Sequence, residues 1–396
     1  MTDDGRVRIE RWPWRLQVLA VVLPAWVLGL AVVALVPARS PSAAVPDLAT
    51  ETDCLSLPGQ PRDVDDLNRF VDTVRGGGEF QGADVGADVT LQDGRRLWVF
   101  GDTLRSASFD GRRFVRNSML VFDDRCANVV LPADHDALIP DRDDGVGYWP
   151  MSIARVERAG YDLVGVTVQR VTGADRPGDA AAFTNLGPAV AVFVVRPGEP
   201  PQLLTVRDVG PDDEDPSRPT WGAATAVADG WVYLYGTATP GTDLVFGFSL
   251  RVARVRPDDL LDPGAWRYWD GARWSRDADG AAELIPAEGG VSQTLSVFEQ
   301  DGTWYAVSKR DEFLGSDLVV WSAPSPTGPF TASAPKASIP SDVESGRLRY
   351  MPLAHPDLLP RKGTVVVSYS RNDTDLAAVD ENPFLYRPRF LRIRLD

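Results

Sequence analysis

From Val85 to Ile393 the chain is a succession of apolar runs of four to eight residues, rich in Val, Phe, Trp and Tyr and broken by Gly, Asp and Pro. None sustains the i, i+3, i+4, i+7 spacing of a long amphipathic helix, so this part of the chain must build its core from strands. The one helix candidate, Val64 to Val74, precedes them. The runs fall into five groups of three or four, opening at GADVGADVTLQDGRRLWVFGDT, WPMSIARVERAGYDLVGVTVQRV, ATAVADGWVYLYGTA, SQTLSVFEQDGTWYAVSKR and MPLAHPDLLPRKGTVVVSYSRN. Repetition of this kind predicts an all-β fold, a five-bladed β-propeller. Strands buried on both faces by neighbouring blades explain runs that are nearly continuous in apolar residues. Polar residues opening the inner strands would line one mouth of the central channel.

Ahead of the strands, Leu16 to Val36 carries no charge. As a helix rising ~1.5 Å per residue it would span the ~30 Å core of a bilayer. Arg6, Arg8, Arg11 and Arg15 precede it, and the positive-inside rule keeps that end in the cytoplasm. The expected organisation is a cytoplasmic N-terminus at 1–15, one N-terminal transmembrane helix acting as signal anchor at 16–36, a Pro/Ser/Ala-rich linker at 37–53 and an extracytoplasmic propeller at 54–396. A cleaved signal peptide is the competing reading. The localisation that follows is the cell membrane, single-pass, with the C-terminal domain outside. The two cysteines, Cys54 and Cys126, both follow the anchor, and an oxidising compartment would join them in a disulfide. A net charge of -15 opposes nucleic-acid binding, which needs clustered Lys and Arg. His135 and His355 are the only histidines, too few for a His/Cys zinc site. No cofactor is expected. Asp141 to Asp144 with Gly145 could bind a structural calcium, although their spacing is not that of an EF-hand.

The first group places Asp84, Asp88 and Asp102 in one hairpin. If its loop is Gln92 to Gly94, Leu91 faces Arg95 and, counting outward, Asp84 faces Asp102, with Cβ atoms ~4.5–5.5 Å apart. A two-residue Asp93-Gly94 loop would put them on opposite faces. Opposed carboxylates cannot both ionise freely, which leaves a proton donor beside a base, the requirement of glycosidic cleavage. Lone aspartates at strand ends more often cap turns.

GADVGAD followed by LWVFGDT, Arg116-Asn117-Ser118, His355-Pro356-Asp357 and Ser368-Tyr369-Ser370-Arg371-Asn372 together resemble the five-bladed propeller family catalogued as domain of unknown function 4185, over residues 75 to 394. Members of that family include the endo-D-arabinofuranases of glycoside hydrolase family 183, which cut D-arabinan of arabinogalactan and lipoarabinomannan. The resemblance implies catalytic roles for Asp84 and Asp102 and a cell-envelope polysaccharide as substrate. Asp88, Arg116, Asn117, Trp149, Trp221, Gln293, Tyr350, His355, Asp357, Tyr369 and Arg371 could build sugar subsites, aromatic rings packing on the sugar and polar groups bonding its hydroxyls. Arg310-Asp311-Glu312 and Asp342 to Glu344 are candidates for a third acid, although charges on loops are usually solvated. A non-catalytic propeller that binds glycan or a partner protein is the alternative, and a metal-assisted phosphate-ester enzyme a weaker one, without a Gly-rich phosphate loop to support it. The oligomeric state is left open.

Overall fold

Short apolar runs punctuated by turns become five antiparallel sheets in the computed structural model, which describes residues 54–57, 59–73, 77–173, 183–242, 244–312 and 314–396. The anchor and linker expected at residues 16–53 lie outside these. No helix among the described residues is long and apolar enough to cross a membrane.

Strand β1 (Cys54–Ser56) and helix α1 (Val64–Thr73) lead into blade 1, formed by β2 (Gly82–Thr90), β3 (Arg96–Leu104), β4 (Phe114–Val115), β5 (Ser118–Phe122) and β6 (Cys126–Val130). Blade 2 holds β7 (Gly147–Arg158), β8 (Tyr161–Thr172), β9 (Thr184–Val195) and β10 (Gln202–Asp208). Blade 3 holds β11 (Thr220–Ala228), β12 (Trp231–Ala238), β13 (Ser249–Val255), β14 (Arg267–Trp269) and β15 (Trp274–Ser275). Blade 4 holds β16 (Ser296–Gln300), β17 (Thr303–Lys309), β18 (Asp317–Ala323), β19 (Thr331–Ala332) and β20 (Ala337–Ser338). Blade 5 holds β21 (Arg347–His355), β22 (Thr364–Asp373) and β23 (Arg389–Arg394), with helix α2 (Leu376–Glu381) between the last two.

The first strand of each sheet is innermost. β2, β7, β11, β16 and β21 touch in succession, and β21 returns to β2. This closed ring is a five-bladed propeller, with one sheet for each group of runs. Residues from all five inner strands line an axial cavity of about 270 Å³. Apolar faces meet between blades: Val99 and Val121 pack with Val166 and Phe193, and Tyr233 with Trp304 and Trp321. Each such side chain contributes roughly 1.5–3 kcal/mol when fully buried.

The N-terminal segment closes the ring from outside. β1 pairs with β6 on the outer edge of blade 1, and Cys54 is disulfide-bonded to Cys126 there. Some ten residues later α1 covers the outer edge of blade 5. Asn68 gives its amide NH to Phe390 O at 2.9 Å and receives Phe390 N–H at 2.9 Å, so one side chain does the work of a missing fourth strand. An apolar cavity of about 370 Å³ remains beneath this strap, walled by Phe70, Trp98, Phe122 and Phe390 among others. On its inner side His355 of blade 5 joins Asp88 of blade 1 at 2.5 Å and Ser368 at 2.7 Å, while Arg96 pairs with the other Asp88 oxygen.

Candidate active site

The first hairpin turns through Gln92 to Gly94, with Leu91 N–H bonded to Arg95 O at 2.8 Å. Its register runs Asp88 to Trp98 and Ala83 to Thr103, interrupted by two shifts between Ala83 and Ala87. Val85 and Gly86, both at positive φ, absorb the irregularity. The shifts cancel, and Asp84 and Asp102 end side by side: the Asp102 N–H donates to the Asp84 carboxylate. Gly101 is required for this approach, because a Cβ there would occupy the place of the Asp84 carboxyl.

The two carboxyls have different partners. Asp84 receives the Tyr350 hydroxyl at 2.8 Å and the Tyr386 hydroxyl as well. Desolvation raises its pKa to about 6 against these donors. Among the described residues, Asp102 receives Trp149 Nε1 at 2.8 Å. Burial and the neighbouring Asp84 charge push it well above the ordinary carboxylate range; Arg116 pulls it down and Asp141 adds to the rise. Both residues remain half-buried, so they stand at the base of the mouth and not inside a closed core. Burial and the Asp84 charge keep Tyr350 and Tyr386 protonated, as hydrogen-bond donors. Full ionisation of the pair is therefore disfavoured, and burial together with the Asp84 charge weights a shared proton toward Asp102.

Of the residues expected to form sugar subsites, Trp149 and Tyr350 touch the pair directly. Arg116 is buried beside it and bonds Asp141 at 2.7 Å. Gln293 lies at the same mouth, bonded to Gln169 at 2.8 Å. Arg371 holds the carbonyls of Phe384 and Arg387 and so positions the segment that presents Tyr386. The others are elsewhere. Asn117 is occupied by the backbone of Ile139 and Tyr148. Trp221 is turned into the packing against Tyr268, ring centres 5.0 Å apart, and Tyr369 packs between blades 4 and 5. Asp88, His355 and Asp357 lie toward the opposite end of the inner strands. Asp141 and Asp144, weighed as calcium ligands, bond Arg112, Arg116 and Arg142. Among the described residues no group of three or more His, Cys, Asp or Glu could hold a metal.

Sequence reasoning passed over Tyr386 and Gln169, and it weighed Glu312 only as a member of a charged loop. Tyr386 could have been suspected as an aromatic framed by Pro383 and Pro388. The Gln169 position could have been inferred by pairing β8 with β7, which sets it opposite Trp149.

A closed five-blade ring with a half-buried carboxyl pair at one mouth defines the class: a five-bladed β-propeller with paired aspartates at its channel opening. Within that class, the chain belongs to the family described as Domain of unknown function (DUF5005), whose profile matches residues 66–395. This is a different family from the one the motifs resemble. No curated protein matches the sequence. Among solved structures, one from Bacteroides ovatus, provisionally assigned as a hydrolase, is similar at TM-score 0.63 and 20% identity, over 90% of this chain and 96% of that one; the likeness is one of fold. Lesser similarity extends to a glycoside hydrolase family 43 arabinoxylan arabinofuranohydrolase from Bacillus subtilis, TM-score 0.47 and 15% identity over 80% of this chain and 63% of that one. An α-L-arabinofuranosidase from Podospora anserina gives 0.45 and 11%, over 87% and 96%.

Proposed function

We propose that this protein is a membrane-tethered glycoside hydrolase that cuts an arabinofuranose-containing polysaccharide of the cell envelope. The observation that carries the reading is the pairing of Asp84 and Asp102 in contact with each other but with unequal donor sets. Asp102, kept protonated, donates to the departing glycosidic oxygen. Asp84, ionised above about pH 6, acts at the anomeric carbon as nucleophile or as base toward water. The Tyr350 hydroxyl favours the ionised form of Asp84, while burial and the Asp84 charge favour the proton on Asp102 against the Trp149 N–H that fixes its position; the half-buried Trp149 offers aromatic surface to the sugar. The motif resemblance to endo-D-arabinofuranases supports D-arabinan as the polymer, and the apolar run Leu16 to Val36 supports the tether.

Purified full-length protein incubated with D-arabinan should release oligosaccharides. Asp84→Asn and Asp102→Asn should each lower the rate by roughly a thousandfold while leaving the circular dichroism unchanged. The reading fails if the wild type releases nothing from any arabinan, or if both variants keep its rate. A glycan-binding propeller would then remain, detectable by binding without turnover.

A further inference from the structure

Blades 2 and 4 build a second polar group on the same face as the carboxyl pair. β8 sets Gln169 directly opposite Trp149 in the strand register, and the Gln169 carbonyl accepts from Gln293 Nε2 at 2.8 Å. Blade 3 lies between these blades and gives way there: Gly222 holds φ +96°, and Thr167 fills the space a Cβ would need. Gln293 also donates its backbone N–H to Glu312 Oε2 at 2.9 Å. Glu312 is only 5% exposed although it sits on the turn between β17 and β18. It and Asp311 adopt left-handed φ values of 49° and 59°, a region that residues with side chains seldom occupy and that concentrates at functional sites.

Two buried atoms of this group have no hydrogen-bond partner among the described residues: Glu312 Oε1, an acceptor, and Gln169 Nε2, a donor. Buried polar atoms are nearly always paired. These two are opposite in sense, and both side chains are tied to Gln293. The hydroxyls of a sugar, each of which donates and accepts, match both senses. A phosphate or carboxylate would meet the Glu312 charge instead. Burial raises the Glu312 pKa, while the Ser292 hydroxyl, the Gln293 N–H and the charge of Lys309, itself fully buried and bonded through Nζ to Arg349 O at 2.7 Å, pull it back toward the ionised form.

We propose that Glu312 and Gln169 form a hydroxyl-recognition subsite that holds a neutral sugar residue beside the carboxyl pair, making Glu312 a specificity-determining residue and not a second proton donor. This deepens the hydrolase reading and rests on it. Both atoms are closed to solvent in this conformation, so an entering sugar displaces the half-buried Gln293 side chain and takes over its place.

The test uses full-length protein and a D-arabinan oligosaccharide. Binding is measured by calorimetry in an Asp102→Asn background, and turnover with Asp102 intact. Glu312→Gln should raise Kd and KM by about tenfold, as expected for loss of one charge-assisted hydrogen bond, with kcat and the pH profile retained. Gln169→Leu should do the same, and it carries the test if Glu312→Gln fails to fold. Unchanged Kd and KM in both variants would overturn the subsite while leaving the hydrolase standing. A collapse of kcat at constant KM would also overturn it, by making Glu312 a catalytic residue. A wild type that neither binds nor cleaves the oligosaccharide would end both readings, and that result is read on the wild type alone.

Discussion

The carboxyls of Asp84 and Asp102 are held in a site that disfavours their charge, and this has a measurable cost in stability. Both have pKa values raised above the ordinary 3.8, so the folded state binds their protons more tightly than the unfolded chain does. The stability they contribute is fully present below about pH 3.8 and is lost as pH rises through about 6 for Asp84 and higher for Asp102. Asp84→Asn should therefore stabilise the protein at pH 7–8, by up to about 3 kcal/mol for a rise of some two units, and the gain should vanish near pH 3.5. Denaturant titrations at the two pH values measure it. Under the proposed hydrolase mechanism the same ionisation gives the acid limb of the pH profile: kcat/KM should fall below about pH 6 as Asp84 takes up a proton. A profile still flat at pH 5 would remove Asp84 from the reaction.

At the scale of the element, the inner strands explain which site residues could be read from the sequence. Alternation predicts a side chain's direction only while the register is unbroken. Register shifts interrupt β2 between Ala83 and Ala87, β7 between Pro150 and Ser152, β11 between Trp221 and Ala224, and β21 between Tyr350 and Leu353. The count from the Gln92 to Gly94 turn reached Asp84 and Asp102 because two shifts in β2 cancel. Trp149 and Trp221 open their strands alike, yet one meets Asp102 and the other is turned into the space between blades. Five groups of runs sufficed to read the blade number, since that depends on burial alone. Glu312 was not legible as a buried group, because only the left-handed turn at Asp311 and Glu312 directs a charged loop residue inward. The outer elements show the same dependence on local contacts. Asn68→Ala should cost about 1–2 kcal/mol through two lost hydrogen bonds to Phe390. Cys54→Ser with Cys126→Ser should cost about 2–4 kcal/mol, and reduction of the wild-type protein should reproduce that loss in a denaturant titration.

For the whole molecule, the junction of blades 1 and 5 is where first and last parts of the chain must find each other, and its polar contacts are concentrated. His355, Asp88, Arg96 and Ser368 meet there, with Trp98 lying 4.8 Å from the His355 ring. Val85 N–H adds a bond to Ser370 Oγ at 3.0 Å. His355→Ala would remove one of the two side chains bonded to Asp88, whose own side chain is 4% exposed, and leave Arg96 as the other. Such a loss should cost about 2–4 kcal/mol and lower the thermal midpoint, while oligosaccharide turnover at the far mouth stays within about twofold below the new midpoint.

The disulfide at Cys54 also decides how the ring bears a mechanical load. Tension arriving along the chain ahead of Cys54 meets the covalent link to Cys126 before it reaches residues 57 to 73. The pull is delivered to β6, at the outer margin of blade 1, and the Asn68 contacts that cover blade 5 carry little of it. Under the proposed tether, drag on a polymer held in the mouth would load this link and leave the ring closed.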